Sequence, residues 1–131
     1  MNIVELRQYC MGKKGTLERY PFGTSGNIMT FCLMGYVYVW GRVDNLTAIT
    51  LKCEPSKIPA LRDQYPGVKD PSHFSKKFWN SVTLDESISN ELIYQWIDDS
   101  YNLVAQRLSR TERTELGLPV SERMGRWGRI Q

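Results

Sequence analysis

Three segments decide the fold: Ile28-Met29-Thr30-Phe31-Cys32-Leu33-Met34, then Tyr36-Val37-Tyr38-Val39-Trp40-Gly41-Arg42, then Leu46-Thr47-Ala48-Ile49-Thr50-Leu51-Lys52-Cys53. All are rich in β-branched and aromatic residues, and the turn formers Gly35 and Asp44-Asn45 separate them. In the third, Ile49, Leu51 and Cys53 alternate with Ala48, Thr50 and Lys52, the two-residue period of a half-buried antiparallel strand. Short connections between such strands predict an antiparallel meander.

Outward from this meander the pattern turns helical. Asn2 with Glu5 forms a capping-box signature, and Ile3, Leu6 and Cys10 recur at helical spacing until Gly12 and Gly15. Tyr20-Pro21-Phe22-Gly23 and Ser25-Gly26-Asn27 supply a loop. Beyond the meander, a second helix carries Ile58, Leu61 and Tyr65, with its start at Ser56 so that Pro59 falls in the first turn. Pro66-Gly67 ends it. Val68 to Phe74 reads as a loop or short edge strand, and Asn80–Leu84 as a strand. Ser87 or Ser89 caps a long third helix with Ile93, Ile97, Val104 and Leu108 on one stripe. The predicted order is α-β-β-β-α-β-β-α, an α+β fold whose antiparallel sheet has helices packed on one face.

After Leu108 the apolar period fades, and Gly117, Pro119, Gly125 and Gly128 follow. This predicts a domain over residues 1–108 and a basic, loosely ordered tail over 109–131. The tail accounts for the charge balance. The chain holds 17 Lys and Arg against 14 Asp and Glu, a formal net charge of +3. From residue 107 onward stand six arginines and three glutamates, so the remainder is electrically even. A polyanion must therefore be met by a local patch or by the tail, whose Arg123-Met124-Gly125-Arg126-Trp127-Gly128-Arg129 resembles basic segments that grip nucleic acid.

The 131 residues suit one domain, and 41% of them are apolar, enough for a core. The longest apolar runs, such as Tyr36–Trp40, are strand-length, and the N-terminus lacks a charged start with an apolar stretch behind it. A cytoplasmic protein with no membrane partner is expected. Cys10, Cys32 and Cys53 are widely spaced, with no CxxC pair. His73 is the single histidine. No ligand spacing surrounds it, and neither a GxxxxGK[ST] nor a GxGxxG phosphate loop occurs. No metal, no cofactor and no catalytic residues are expected.

His73-Phe74-Ser75-Lys76-Lys77-Phe78-Trp79-Asn80 is the densest unusual stretch. Cations interleaved with rings suit a phosphate-bearing partner, lysine meeting the backbone and an exposed ring stacking on a base. Alternatively Phe74, Phe78 and Trp79 belong to the core and the lysines are merely solvated. Lys52, ending a strand on the face opposite Ile49 and Leu51, is the other candidate, with an ordinary edge charge as its alternative.

Several of these motifs together resemble the MmcQ/YjbR family of small bacterial proteins over about Asn2 to Leu108. They are Tyr20-Pro21-Phe22-Gly23, Leu51-Lys52-Cys53 followed by Pro55, Gln64-Tyr65-Pro66-Gly67-Val68, and His73, Lys76, Lys77, Trp79, Asn80 and Val82. Asp99-Ser100-Tyr101 with Leu103-Val104 also fits. The resemblance implies a frataxin-like (CyaY-like) fold and a "double wing" nucleic-acid-binding role, with no catalytic residues and no cofactor. The family usually has Asn and His where Ser75 and Phe78 stand here, so a polar surface becomes partly apolar. No acidic ridge is present to carry over the iron handling of frataxins.

The resulting expectation is a non-catalytic binding domain with DNA as partner. Its surface is formed by Lys52, His73, Lys76, Lys77, Trp79 and Asn80. A protein- or small-ligand-binding adaptor using the same cluster is the alternative. Since no ligand spacing surrounds the histidine, the purified chain is expected to fold without metal, and excess chelator should leave its melting temperature unchanged.

Overall fold

The structure, a computed structural model, describes residues 1–120. The first helix, α1 (Ile3–Met11), carries the capping box read from the sequence: Asn2 Oδ1 accepts from the Glu5 amide at 2.9 Å, and Glu5 Oε1 accepts from the Asn2 amide at 3.2 Å. A short strand, β1 (Leu17–Arg19), then leads through a 3₁₀ turn at Thr24–Gly26 into β2 (Ile28–Leu33) and β3 (Tyr36–Arg42). Met34 and Gly35 take φ values of 48° and 85° in the tight turn between these two, and Gly35 adopts its value without a side-chain penalty.

After β4 (Ala48–Lys52), a 3₁₀ turn at Pro55–Lys57 feeds α2 (Ile58–Gln64). The edge strand β5 (Val68–Lys69) and β6 (Trp79–Thr83) flank a long loop. Ser89 caps α3 (Asn90–Arg107) by accepting from the Leu92 amide at 3.2 Å. A further helix, α4 (Arg110–Leu116), comes after it.

The six strands form one antiparallel sheet in the order β1-β2-β3-β4-β6-β5. One face is the core. Leu6 and Cys10 from α1 and Ile93, Ile97 and Val104 from α3 join Met29, Phe31, Val39, Ile49, Leu51 and Val82 in a single buried cluster, with Leu61 of α2 packed against it. Burial pushes the Cys10 thiol up to about 12, so at neutral pH it is a small apolar core group.

Two elements depart from the predicted order. β1 is absent from it because three residues with one apolar side chain give no period to read. Its pairing, Leu17 with Cys32 and Arg19 with Thr30, is a tertiary event. The second is α4, which corrects the expected domain end at Leu108. Ser109 and Glu112 form a capping box, the Arg113 side chain is buried and donates to the Ala105 and Pro119 carbonyls, and Leu116 and Leu118 pack on the core. The domain thus extends at least to Leu118. A buried arginine bonded to two backbone carbonyls replaces the apolar stripe whose fading suggested a tail. The basic motif at 123–129 lies outside the described residues.

The centre of the sheet is irregular. Phe31 pairs with Val39 and Cys32 with Val37, so Tyr38 is the extra residue of a β-bulge. Its fully buried side chain turns to the helix side, where its hydroxyl lies 2.7 Å from Thr16 Oγ1 and donates to the Cys10 carbonyl at 3.3 Å. Burial raises its phenol well above the ordinary tyrosine value, keeping it neutral. Ser100, fully buried on α3, bridges the gap that results. Its hydroxyl donates to the Tyr38 carbonyl at 2.6 Å and accepts from the Lys52 amide at 2.9 Å. Ser100→Ala leaves both backbone groups without partners, and urea unfolding should show a loss of about 2–4 kcal/mol.

Candidate functional site

The bulge sets which side chains reach the sheet face that carries no helix. Strict alternation would put Tyr36, Tyr38 and Trp40 on one side. The extra residue shifts the phase, and Trp40 emerges opposite to Tyr38, paired with Thr30 and Thr50. On this open face a register row crosses all six strands: Arg19, Thr30, Trp40, Thr50, Ser81 and Lys69. Arg42 beside Ile28 and Lys52 beside Trp79 flank it. Among the described residues, the strand positions of this face carry four cations and no acid.

Part of the open face is roofed by the loop from Asp70 to Phe78. Arg62 of α2 holds that loop at both ends. Its guanidinium pairs with Asp70 at 2.5 Å and donates to the Lys76 and Trp79 carbonyls at 2.9 and 3.1 Å. It also donates to Asn80 Oδ1 at 3.0 Å. So anchored, the loop lays Phe74 against Trp79 (centroids 4.5 Å apart) and Trp40 (6.0 Å), with His73 5.4 Å from Trp40. Lys52 Nζ lies 5.5 Å from the Trp79 centroid. Burial, with Arg107 adding repulsion, holds the Lys52 ammonium below the usual lysine value.

Two clefts adjoin on this face. One, of about 540 Å³, lies between Ile28, Arg42 and His73, and the other, of about 560 Å³, between Arg19, Tyr20 and Val37. Phe22, Trp40 and Phe74 line both. Phe22 is 67% exposed. On the helix side a separate cleft of about 570 Å³ opens between α2 and α3, floored by Leu51 and Val82 and rimmed by Gln64, Gln95 and Asn102. Cys53 lines it, its thiol pushed up by burial, away from the thiolate form.

The predicted site residues divide. Lys52 and Trp79 meet on the open face, with His73 nearby above Trp40. Lys76 and Lys77 are exposed on the turn before β6, and neither joins an ion pair among the described residues. Asn80 stands apart from them and lines the cleft between α2 and α3. It points to the helix side, is 3% exposed, and serves as an acceptor for Arg62. The β6 alternation that exposes Trp79 buries its neighbour. Phe74 and Trp79 stand outside the main core cluster, half-buried, and Phe78 is exposed. Sequence reading missed Trp40, because the bulge hides its phase, and Arg62, whose partners come from a loop and a strand 8 to 18 positions on. Arg19 and Arg42 were equally hidden, for their face depends on β1 and on the same bulge. No group of three or more His, Cys, Asp or Glu among the described residues is placed to hold a metal, and no helix there is long and apolar enough to cross a membrane.

Fold and site together define a small α+β domain with one sheet face buried under helices and the other free of helices, basic at its edges and aromatic beneath the loop. The YjbR family model matches residues 11–103, and the chain belongs to that family. It is 31% identical to the YjbR protein of Escherichia coli K12 over 113 residues, covering 86% of this chain and 95% of the relative. With the YbdF protein of Escherichia coli O157:H7 it shares 32% identity over 95 residues, covering 72% of this chain and 76% of that one. The crystal structure of Deinococcus radiodurans protein DR2400, a DUF419 domain, superposes with a TM-score of 0.81 at 30% identity, covering 90% of this chain and 89% of that one. A Pseudomonas syringae protein shares the fold at a TM-score of 0.68 and 22% identity, covering 79% of this chain and 99% of its own.

Because Arg62 ties the loop at Asp70 and Lys76 and fastens it to β6 through Trp79 and Asn80, Arg62→Ala should release it selectively. Amides of residues 70–79 are expected to exchange at least about tenfold faster while those of β2 and β3 hold, with a stability loss of about 2 kcal/mol.

Proposed function

We propose that this chain is a non-catalytic nucleic-acid-binding domain of the double-wing kind, with DNA as its partner and the cytoplasm as its place of work. The observation that carries the reading is the open sheet face, where Arg19, Arg42, Lys52 and Lys69 occupy strand positions with no acid among them. Lys76, Lys77 and His73 extend this basic surface along the loop, and Trp79 with Phe78 offers ring surface beside them. A polyanion gains most from such a face, since phosphate contacts release counterions while exposed rings stack on bases. The one-sided helix packing is also what a frataxin-like (CyaY-like) relationship would give.

A protein- or small-ligand-binding adaptor is the second reading, favoured by the 540 Å³ cleft with His73 on its wall. Salt dependence separates the two. If Arg19, Lys52, Lys69, Lys76 and Lys77 meet phosphates, the log–log slope of affinity against salt should be about −4 to −5. Changing Lys76 and Lys77 together to Ala should flatten it by about two and leave the thermal transition in place, because solvated lysines contribute little to stability. Binding unaffected by the double substitution would move the adaptor reading ahead.

A further inference from the structure

We propose that the open sheet face takes a single strand rather than a duplex, seating two successive bases in the twin clefts on either side of Phe22, Trp40 and Phe74. This inference rests on the nucleic-acid reading and specifies its ligand.

The clefts are neighbours, of about 540 and 560 Å³, and the same three rings line both. Each is of small-ligand size, room enough for one base with its sugar. Their walls come from separate loops, Tyr20–Gly23 carrying Phe22 and the Arg62-anchored loop carrying His73 and Phe74. A duplex hides the faces of its bases inside its own stack and presents phosphates outward, so Phe22 and Trp40 would find nothing to stack on. An unpaired strand frees those faces, and ring–base stacking accepts any base.

Charge lies along the same path. Arg19, exposed and without an ion-pair partner among the described residues, stands beside one cleft. Arg42, at the other, is already held by Asp44 through bonds of 3.1 and 2.8 Å, which fixes its position and weakens its pull on a phosphate. Glu18 also borders the Arg19 cleft, but its carboxylate is engaged by Arg7 at 2.8 Å and by the Tyr20 hydroxyl at 2.8 Å. Lys69 closes the row at the far edge, about 24 Å from Arg19 at ordinary strand spacing. The polyanion path therefore runs across the strands, over Trp40.

The test is fluorescence anisotropy of the full chain with labelled dT12, U12 and a 12-base-pair duplex at low salt. The single strands should bind at least about tenfold more tightly than the duplex, and Phe22→Ala should remove about tenfold from single-strand affinity while leaving duplex affinity unchanged. Phe22 is so exposed that its loss should not unfold the domain, and Trp40→Leu, checked for its melting temperature, should act in the same direction. Equal binding of dT12 and U12 would show that the clefts read rings and phosphates, whereas a preference for one would show contact with the sugar or with the thymine methyl; either result supports the proposal. Duplex bound as tightly as single strand, or single-strand affinity indifferent to Phe22→Ala, overturns it while leaving the nucleic-acid reading intact. Failure to bind either form overturns both.

Discussion

One buried hydroxyl, that of Ser100, makes the centre of the sheet possible. At the Tyr38 bulge β3 and β4 part, leaving a carbonyl on one strand and an amide on the other with no ladder partner. A serine on α3 answers both, donating to the Tyr38 carbonyl and accepting from the Lys52 amide. An unmet backbone group in such a place costs more than an ordinary hydrogen bond contributes. The helix thus sets the irregularity of the sheet as well as covering it. Tyr38 fills the space beneath by meeting Tyr101 edge to face at 5.3 Å.

The bulge divides the aromatic residues between the two faces. Tyr38 goes inward to the core, and Trp40, two residues on, goes outward to the open face. There it joins Phe74, His73 and Trp79 in a second, smaller apolar cluster. The main core on the helix side carries most of the burial. The outer cluster serves to shape a surface: half-buried rings are rigid enough to hold clefts open and exposed enough to touch a ligand.

Arg62 plays for the loop the part Ser100 plays for the sheet. Its planar fork reaches two carbonyls, an amide oxygen and a carboxylate at once, an arrangement a lysine would not reproduce. Asn80 receives one of those bonds, so it acts through Arg62 on the loop that bears His73, Lys76 and Lys77. Acidic and basic groups fare differently around this surface. Asp44, Asp70 and Glu18 are each engaged by an arginine, whereas Arg19, Lys76 and Lys77 are left to solvent.

By itself the sequence determined the α+β class, the antiparallel meander, the two capped helices and the loop rich in cations and rings. All of these rest on local signals: alternation from Ala48 to Lys52, the Asn2–Glu5 box, Gly35 in a tight turn, and the 3.6-residue stripe of α3. The tertiary structure decided what local period cannot encode. It paired Leu17–Arg19 with β2, packed α4 through a buried Arg113 instead of an apolar stripe, and turned Asn80 inward to Arg62. Above all it chose the face of Trp40, because one extra residue in β3 reverses every alternation after it, and the hydroxyl of Ser100, some sixty positions away, answers the backbone groups which that extra residue leaves unpaired.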